Sequence, residues 1–491
     1  MGDGMSTNRR FRFHVARAVL LSIACFGLLM GSFAAAQLAG AEDQPMTEAQ
    51  RLEKLPARLQ PIAAADGGGY FLESELSELR KEDLVDLLKI PGIRYLYDNG
   101  FRPEAWPDFG KFKELEALEA HQHLTDVELK SLAELKQLEL LILGSTVSRP
   151  EPITSPGVSG PSFSAAALKP LIQMKQLKDL ELRSNGLTDE ALAHVGAVPQ
   201  LLTLTLEGHF TNDGLKSLSG LTSLRKLSLD GNFNDAGLVH LAVLTNLESL
   251  ELKSDQLTGA GLSYLSVMPK LRMLRLRPRG YGEISTKAAL RPPKPPIPMS
   301  LAHLKRWPAL ESLNLSGDLV TDDVLLTLPE TDRITSLSLH ATAVTNKGLV
   351  GVSRLKNLEE LDLLLTQVTD EGLPTVASLS SLRALCLGGG RFEQRLITVQ
   401  GLQLLRRLEH LERLDLRYVM LTEAELPALA FPTLTMLHIE CLGRSEGLHR
   451  LWKRLPRVTR PSSRITIKAG LFDDNYYRRY NVYANRMETE W

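Results

Sequence analysis

The chain has 491 residues, and its 57 basic and 58 acidic residues give a formal net charge of −1. This balance lacks the basic excess on which nucleic-acid-binding proteins depend, so we expect no nucleic acid as a partner. Three cysteines in a chain of this length do not form a disulfide framework. We expect Cys25, Cys386 and Cys441 to remain unpaired thiols.

Residues 1–41 have the pattern of a secretory signal peptide. Four arginines between residues 9 and 17 precede an uncharged, mainly apolar run at residues 18–36, and small residues follow it. The alternative is an uncleaved anchor, because a run of about 18 apolar residues can span a bilayer. The sequence therefore predicts export to the periplasm, the cell surface or the medium. We expect membrane contact only through this segment.

Residues 42–79 are predicted to form an N-terminal helical cap and a linker. The helix is expected to begin at Thr47-Glu-Ala-Gln50 and to run to Arg58, and residues 63–69 are rich in small side chains. An array of repeats requires atypical ends that cover its terminal apolar side chains.

A pattern of leucines recurs along most of the remaining chain. Residues 177–187 read L-x-x-L-x-L-x-x-N-x-L, and most copies are spaced by 22 to 24 residues. A repeat of this length indicates stacked units that share one continuous core. Further copies of L-x-x-L-x-L begin at Leu201, Leu224, Leu247, Leu271, Leu310, Ile334, Leu358, Leu382, Leu411 and Leu434, with looser copies at Ile93, Leu115 and Leu138.

The second half of each repeat also follows a pattern, T-D-x-G-L, as in residues 369–373. Threonine is a favourable residue immediately before a helix, and an acidic residue beside it suits the positive end of the helix dipole. Leucines at helical spacing follow, as at Leu215 and Leu218. Each repeat is thus predicted to be a short strand, a turn and a short helix.

These two half-repeats resemble the leucine-rich-repeat family, specifically secreted bacterial members with T-D-x-G-L before the helix. The resemblance covers residues 80–470. It implies an α/β fold, a right-handed solenoid in the form of a horseshoe or arc, with a parallel concave sheet and short outer helices. It also implies a role in binding. The chain departs from the family's asparagine at the ninth position, where Thr342, Thr366 and Val419 stand.

Three spacings exceed the repeat and predict insertions at residues 144–165, 277–299 and 388–398. The first two contain proline-rich stretches, which exclude regular helix or sheet. They either mark a working edge of the solenoid or are tolerated surface loops. The tail, residues 471–491, holds four of the ten tyrosines. It either covers the last repeat or presents aromatic side chains to a partner.

In each predicted strand the leucines point inward, and the residues between them face the concave side. The middle outward position runs from Glu181 to His438. Neighbouring charges there are often opposite, which fits either cross-strand pairing on a solvated face or a polar recognition surface. The candidate ligand-binding residues are Glu251, Met273, Arg275, Arg277, Asn314, Asp362, Arg413, Asp415 and Arg417.

No sequence motif points to catalysis. His121-x-His123 lacks further ligands at the spacing of a zinc site, and the glycine clusters lack the lysine of a phosphate-binding loop. We therefore expect no catalytic residue, no metal and no cofactor. The predicted function is an exported scaffold that binds a protein or peptide. The alternatives are a structural component of the cell envelope and, less favoured, an enzyme with an unfamiliar site.

Overall fold

The structure of the chain is a computed structural model. All described residues belong to the unit Arg58–Trp491. The predicted signal peptide and N-terminal helix lie outside them. The structure describes residues 59–61, 70–74, 92–98, 110–120, 126–144, 163–277, 300–317, 320–389, 396–421, 425, 431, 433–442, 464–470 and 479–483.

Strands in chain order are also neighbours in one sheet. Each consecutive pair from β2 to β17 is parallel, whereas β1–β2 and β17–β18 are antiparallel. The strands are β1 (Leu59–Pro61), β2 (Tyr70–Ser74), β3 (Ile93–Asp98), β4 (Ala117–Ala120), β5 (Leu140–Gly144), β6 (Asp179–Thr188), β7 (Thr203–His209), β8 (Lys226–Asp230), β9 (Ser249–Lys253), β10 (Met273–Arg277), β11 (Ser312–Leu315), β12 (Ser336–Ser338), β13 (Glu360–Leu364), β14 (Ala384–Gly388), β15 (Arg413–Leu421), β16 (Met436–Leu442), β17 (Arg464–Gly470) and β18 (Arg479–Tyr483).

Short helical segments follow the strands. Many are single turns, and several are 3₁₀ rather than α, which the leucine spacing does not distinguish. The α-helices are α1 (Asp126–Leu129), α2 (Asp189–Gly196), α3 (Asn212–Leu215), α4 (Leu262–Leu265), α5 (Asp322–Leu325), α6 (Leu349–Val352), α7 (Leu373–Val376) and α8 (Val399–Leu404). The 3₁₀ segments are Lys130–Glu134, Ala165–Gln173, Lys216–Gly220, Asp235–Leu241, Ala302–Arg306, Asp370–Gly372 and Leu405–Arg407.

The leucines of the repeat form the core, because equivalent leucines pair from strand to strand. Leu180 is in register with Leu204, and Leu204 with Leu227. All three are at most 2% exposed. Burial of each such side chain stabilises the fold by about 1.5–3 kcal/mol. The predicted parallel solenoid of strand-plus-helix repeats is confirmed, and the chain has a leucine-rich-repeat fold.

The acidic residue of T-D-x-G-L links one repeat to the next. Asp322 accepts hydrogen bonds from the backbone N–H and the hydroxyl of Thr345, at 2.8 and 2.6 Å, and from the N–H of Gly348 at 3.0 Å. Asp189 binds Thr211 in the same way. The threonine hydroxyl therefore donates to the preceding repeat, and the helix-dipole interpretation of the acidic residue misses this link.

The predicted side-chain cap holds at only some threonines. The hydroxyl of Thr211 accepts from the N–H of Asp213, but Thr188, Thr321, Thr369 and Thr398 make no such bond.

The glycine of the same motif is needed where the acidic side chain crosses it. A Cβ atom on Gly348 would lie 2.5 Å from Oδ1 of Asp322, and one on Gly214 would lie 2.2 Å from Oδ1 of Asp189. The aspartate of one repeat therefore packs against the glycine of the next. Glycine is required because a Cβ atom would collide with the carboxylate and not because of backbone conformation, since neither glycine has a positive φ.

At the ninth position, hydroxyl groups substitute for asparagine. Thr342 and Thr366 are buried and donate to the carbonyls of Leu339 and Leu363, at 2.8 and 2.7 Å. These bonds stay within one repeat, so no continuous ladder joins the two positions. Val419 is also buried and contributes only apolar contact.

The ends of the sheet differ from its middle. The hairpin of β1 and β2 lies in the segment predicted to be a helical cap and linker, and strand β18 lies in the predicted tail. β17 is therefore followed by one more strand, which pairs with it. Its antiparallel pairing with β18 favours the tail as a cover for the last repeat.

The predicted insertions begin where strands end, at Gly144, Arg277 and Gly388. At the end of the first one, Phe163 is buried and Ser164 hydrogen-bonds Asp126 as the threonines do elsewhere, so both residues belong to the repeat.

Candidate binding surface

The residues between the leucines form a polar face on the sheet. The polar face is defined by the outward positions of strands β6 to β16, and its middle row is in register throughout. Glu251 is paired with Arg275, Arg275 with Asn314, and Asp362 with Cys386. The predicted middle row is confirmed. It consists of Glu181, Thr205, Ser228, Glu251, Arg275, Asn314, Ser338, Asp362, Cys386, Asp415 and His438.

Three cations surround one carboxylate on strands β9 and β10. Glu251 accepts hydrogen bonds from Nη2 of Arg277 at 2.7 Å and from Nη1 of Arg275 at 3.3 Å. Nζ of Lys253 lies 3.7 Å from the same carboxylate. We call Glu251, Lys253, Arg275 and Arg277 the basic cluster. Its formal charge is positive because three cations share a single anion.

The charges around Glu251 change its acidity. Burial by itself raises the pKa of the carboxyl, but Lys253, Arg277 and Arg275 together outweigh burial and hold the pKa below its ordinary value of 4.5. The side chain of Glu251 is 19% exposed, so solvent screens these interactions only in part. The ionised carboxylate is therefore the stable form in the folded chain.

This depressed pKa predicts a pH-dependent contribution to stability. A group whose folded-state pKa lies below its unfolded-state value stabilises the fold above the unfolded value, and the contribution is lost as the pH falls through the folded value. Glu251→Gln is expected to lower the free energy of unfolding near neutral pH and to approach the wild type below pH 4.5. Urea unfolding across this range measures it. A difference that stayed constant would contradict the prediction.

Two further candidates, Met273 and Asn314, adjoin the basic cluster. Met273 is 37% exposed on β10, in the row next to Arg275. Asn314 lies on β11 and accepts from the hydroxyl of Ser316 at 3.2 Å. Neither Asn314 nor Ser316 carries charge, so β11 supplies no further anion to the cluster. Glu251, Met273, Arg275, Arg277 and Asn314 thus lie together on three adjacent strands.

Asp362 lies on β13, farther along the middle row. It accepts hydrogen bonds from the hydroxyl of Ser338 at 3.1 Å and from the backbone N–H of Leu364 at 3.0 Å. Nδ1 of His340 is 3.8 Å from its carboxylate. This group is acidic and compact, and it is separate from the basic cluster.

The candidates on β15 form another group. Arg413 reaches across the small side chain of Ala384 to form an ion pair with Glu360, two strands away. Asp415 lies 3.6 Å from Nδ1 of His438. The strand includes Arg417, whose side chain lies outside the described residues. Strands β10 and β15 are five positions apart, about 24 Å at 4.8 Å per strand.

The candidate residues therefore form three groups on the polar face, on β9–β11, β13 and β15. Lys253 was absent from the candidates although it lies two residues after Glu251 on the same face, a spacing that the sequence displays. His340 likewise lies two residues after Ser338. Because residues two apart along a strand face the same side, this spacing could have identified both Lys253 and His340 from the sequence.

Cys386 carries a thiol and is half-buried. Strand β15 lies between β14, which carries Cys386, and β16, which carries Cys441. This places the two cysteines two repeats apart; the side chain of Cys441 is outside the described residues.

Within the described ranges, no three His, Cys, Asp or Glu side chains are grouped as a metal ion requires. His121 and His123 lie outside these ranges. A search of the same ranges found no helix with the length and hydropathy needed to cross a bilayer.

Comparisons with known proteins gave structural likenesses alone. No protein-family model matches the chain, and no curated protein matches its sequence. An internalin from Listeria monocytogenes is similar over 70% of this chain and 87% of its own, with 18% identity and a TM-score of 0.36. A leucine-rich-repeat protein from Leptospira interrogans is similar over 76% of this chain and 97% of its own, with 18% identity and a TM-score of 0.35.

Internalin C2 from Listeria monocytogenes is similar over 42% of this chain and 80% of its own, with 21% identity and a TM-score of 0.28. Likenesses of this size carry no functional argument. The leucine-rich-repeat fold of this chain is established by its own strand order and register.

Proposed function

We propose that the chain is an exported scaffold that binds a protein or peptide partner on the polar face and performs no catalysis. The observation that carries the proposal is the continuous middle row. The leucines of the repeat are buried in the core, and the residues between them form an unbroken, in-register row of polar side chains from β6 to β16. Extended polar rows on rigid strands suit recognition of a polypeptide, because the strands hold each contact in place.

Export is part of the proposal and rests on the leader. The basic segment and apolar run of residues 1–41 are those of a signal peptide. The scaffold is then periplasmic, on the cell surface or secreted, and it meets a membrane only through an uncleaved leader.

The polar face can be blocked without disturbing the core. Asn314→Tyr with Ser338→Tyr adds two bulky side chains to adjacent positions of the middle row. We expect about a tenfold loss of partner affinity, the scale of a central contact. The full chain is used as bait in its native compartment, and the proteins captured are identified by mass spectrometry. Val267→Ser, an exposed change in the turn after α4, is the control and is expected to leave capture unchanged.

If the double tyrosine variant captures the same proteins as well as the Val267→Ser control does, the polar face is not the binding surface. If the wild type enriches no specific protein and stays with the envelope fraction, the chain is instead a structural component.

The insertion after β10 is the second element of the proposed surface. Deletion of residues 278–298 is expected to weaken partner capture by several-fold, roughly 1 kcal/mol, while the fold stays intact. Capture and thermal unfolding are measured on the same preparation. Unchanged capture would remove the insertion from the binding surface.

A further inference from the structure

The basic cluster holds three cations and a single carboxylate. Lys253, Arg275 and Arg277 share the carboxylate of Glu251. Each guanidinium has five N–H donors, and one carboxylate cannot satisfy two such groups and an ammonium. Among the described residues, Nε of Arg275 and Nε of Arg277 are buried and have no hydrogen-bond partner.

The two arginines still reach the surface. Their side chains are 32% and 29% exposed. A carboxylate that binds a guanidinium side-on uses Nε and one terminal nitrogen, which is the donor pair that arginine offers to a bidentate acid. Rotation of either group toward such a ligand would therefore satisfy the Nε donor that the fold leaves unpaired.

The charged residues on the strands around the basic cluster are also mostly positive. The outward positions of β8 to β11 carry four basic residues, Lys226, Lys253, Arg275 and Arg277, and two acidic ones, Asp230 and Glu251. Farther along the polar face, β6 and β7 carry three acidic residues and one arginine. The positive charge around β10 therefore contrasts with the negative charge of β6 and β7.

The insertion that follows β10 adds to this charge. It starts directly after Arg277, and residues 278–299 contain four basic residues and one acidic residue, Glu283. The basic character of the sequence thus continues along the chain beyond Arg277. The net charge of the whole chain is −1. The attraction for anions therefore comes from the local distribution of charge and not from the net charge of the chain.

We propose that the basic cluster binds an acidic segment of the protein partner, with ligand carboxylates held by Arg275 and Arg277. This inference rests on the proposed function. An acidic polypeptide fits better than nucleic acid, because the local excess is small and the strands that the structure describes around β10 offer no extended basic track for a phosphate backbone. Glu251 then orients both guanidinium groups and competes with the ligand for them.

The probe is a fluorescent twelve-residue peptide of alternating glutamate and serine, compared with its glutamine counterpart on the full chain. Fluorescence anisotropy gives the affinity. We expect the glutamate peptide to bind more tightly, and Arg275→Gln with Arg277→Gln to weaken its binding by at least about tenfold. Arg225→Gln with Arg272→Gln removes the same charge at the turns before β8 and β10, where the arginines pair with Glu248 and Glu311. This control is expected to change affinity by less than about twofold.

Glu251→Gln provides a test of opposite sign. It removes the competing anion, so we expect the glutamate peptide to bind about threefold more tightly. A cluster that served only to pair charges would give no gain. Thermal unfolding of every variant shows whether it is folded, and circular dichroism compares its secondary structure with that of the wild type.

Three results would overturn the inference. The first is equal affinity for the glutamate and glutamine peptides, and the second is an equal loss of affinity in the double variant of the basic cluster and in its control. The third is tighter binding of duplex DNA of equal charge. The proposed function is judged separately by the tyrosine variants. If those abolish capture of the native partner while the cluster variants do not, the polar face binds a partner and the acidic-segment inference alone fails.

Discussion

Trp307→Ala is expected to lower the free energy of unfolding by about 3–5 kcal/mol, the usual cost of removing a large aromatic side chain from a core. Trp307 is 1% exposed and is the largest fully buried side chain of the described residues. Its Nε1 donates to the carbonyl of Leu265 at 2.8 Å, at the end of α4. Other repeats place Met268 or Leu355 at the equivalent position.

Two variants separate packing from the hydrogen bond. Trp307→Phe keeps an aromatic ring but removes the donor, and we expect a loss of roughly 1–2 kcal/mol. Val267→Ala lies close by at an exposed position and is expected to cost less than about 0.5 kcal/mol. Urea unfolding followed by circular dichroism compares the three. A loss below about 1 kcal/mol for Trp307→Ala would show that the neighbouring repeats close the space without it.

Asp322→Ala is expected to cost about 2–4 kcal/mol, because it leaves the N–H and hydroxyl of Thr345 without their acceptor and removes one of the two acceptors of the N–H of Gly348. These donors are partly buried between two repeats. The loss falls on the contact between repeats, so hydrogen exchange of the neighbouring backbone amides is expected to rise more than exchange in distant strands.

Another repeat has asparagine at the position that corresponds to Asp322, which suggests a conservative variant. In a neighbouring repeat Asn346 holds Thr369, accepting from its N–H at 2.9 Å and donating to its hydroxyl at 2.7 Å. Asp322→Asn is therefore expected to cost less than about 1 kcal/mol, with the hydroxyl of Thr345 turned from donor to acceptor.

The next residue, Asp323, is the matched control. It is exposed and pairs with Lys347 at 3.4 Å, so Asp323→Ala is expected to cost less than about 1 kcal/mol. If Asp322 acted only on the helix dipole, all three variants would lose similar small amounts, since each removes one negative charge. That result would contradict the link between repeats.

Much of the sheet could be predicted because the repeat places its constraints within a few residues. L-x-x-L-x-L puts leucines on one side of a strand, and equal spacing brings equivalent leucines side by side in consecutive strands. The middle row from Glu181 to His438 follows from this pattern alone. The same pattern places Glu251 beside Arg275 in that row, and the two side chains form an ion pair.

Other side-chain contacts between repeats could not be predicted from this pattern. Arg413 reaches Glu360 only because Ala384 leaves room between them. Asp322 meets Thr345 and Gly348 because the turns of two repeats stack closely. In both cases the partner is chosen by the size of a third residue and by the distance between coils, and neither is a property of spacing along the chain.

The sequence by itself thus determined the strand-plus-helix repeat, its parallel order and the residues that face outward, because periodicity fixes which side of each element is apolar. The tertiary structure decided how those residues combine. It split the candidate site into groups on β9–β11, β13 and β15, added Lys253 to the first, and gave the ends antiparallel strands. The physical reason is that long side chains and chain ends take partners according to the space beside them, and that space exists only once the repeats are stacked.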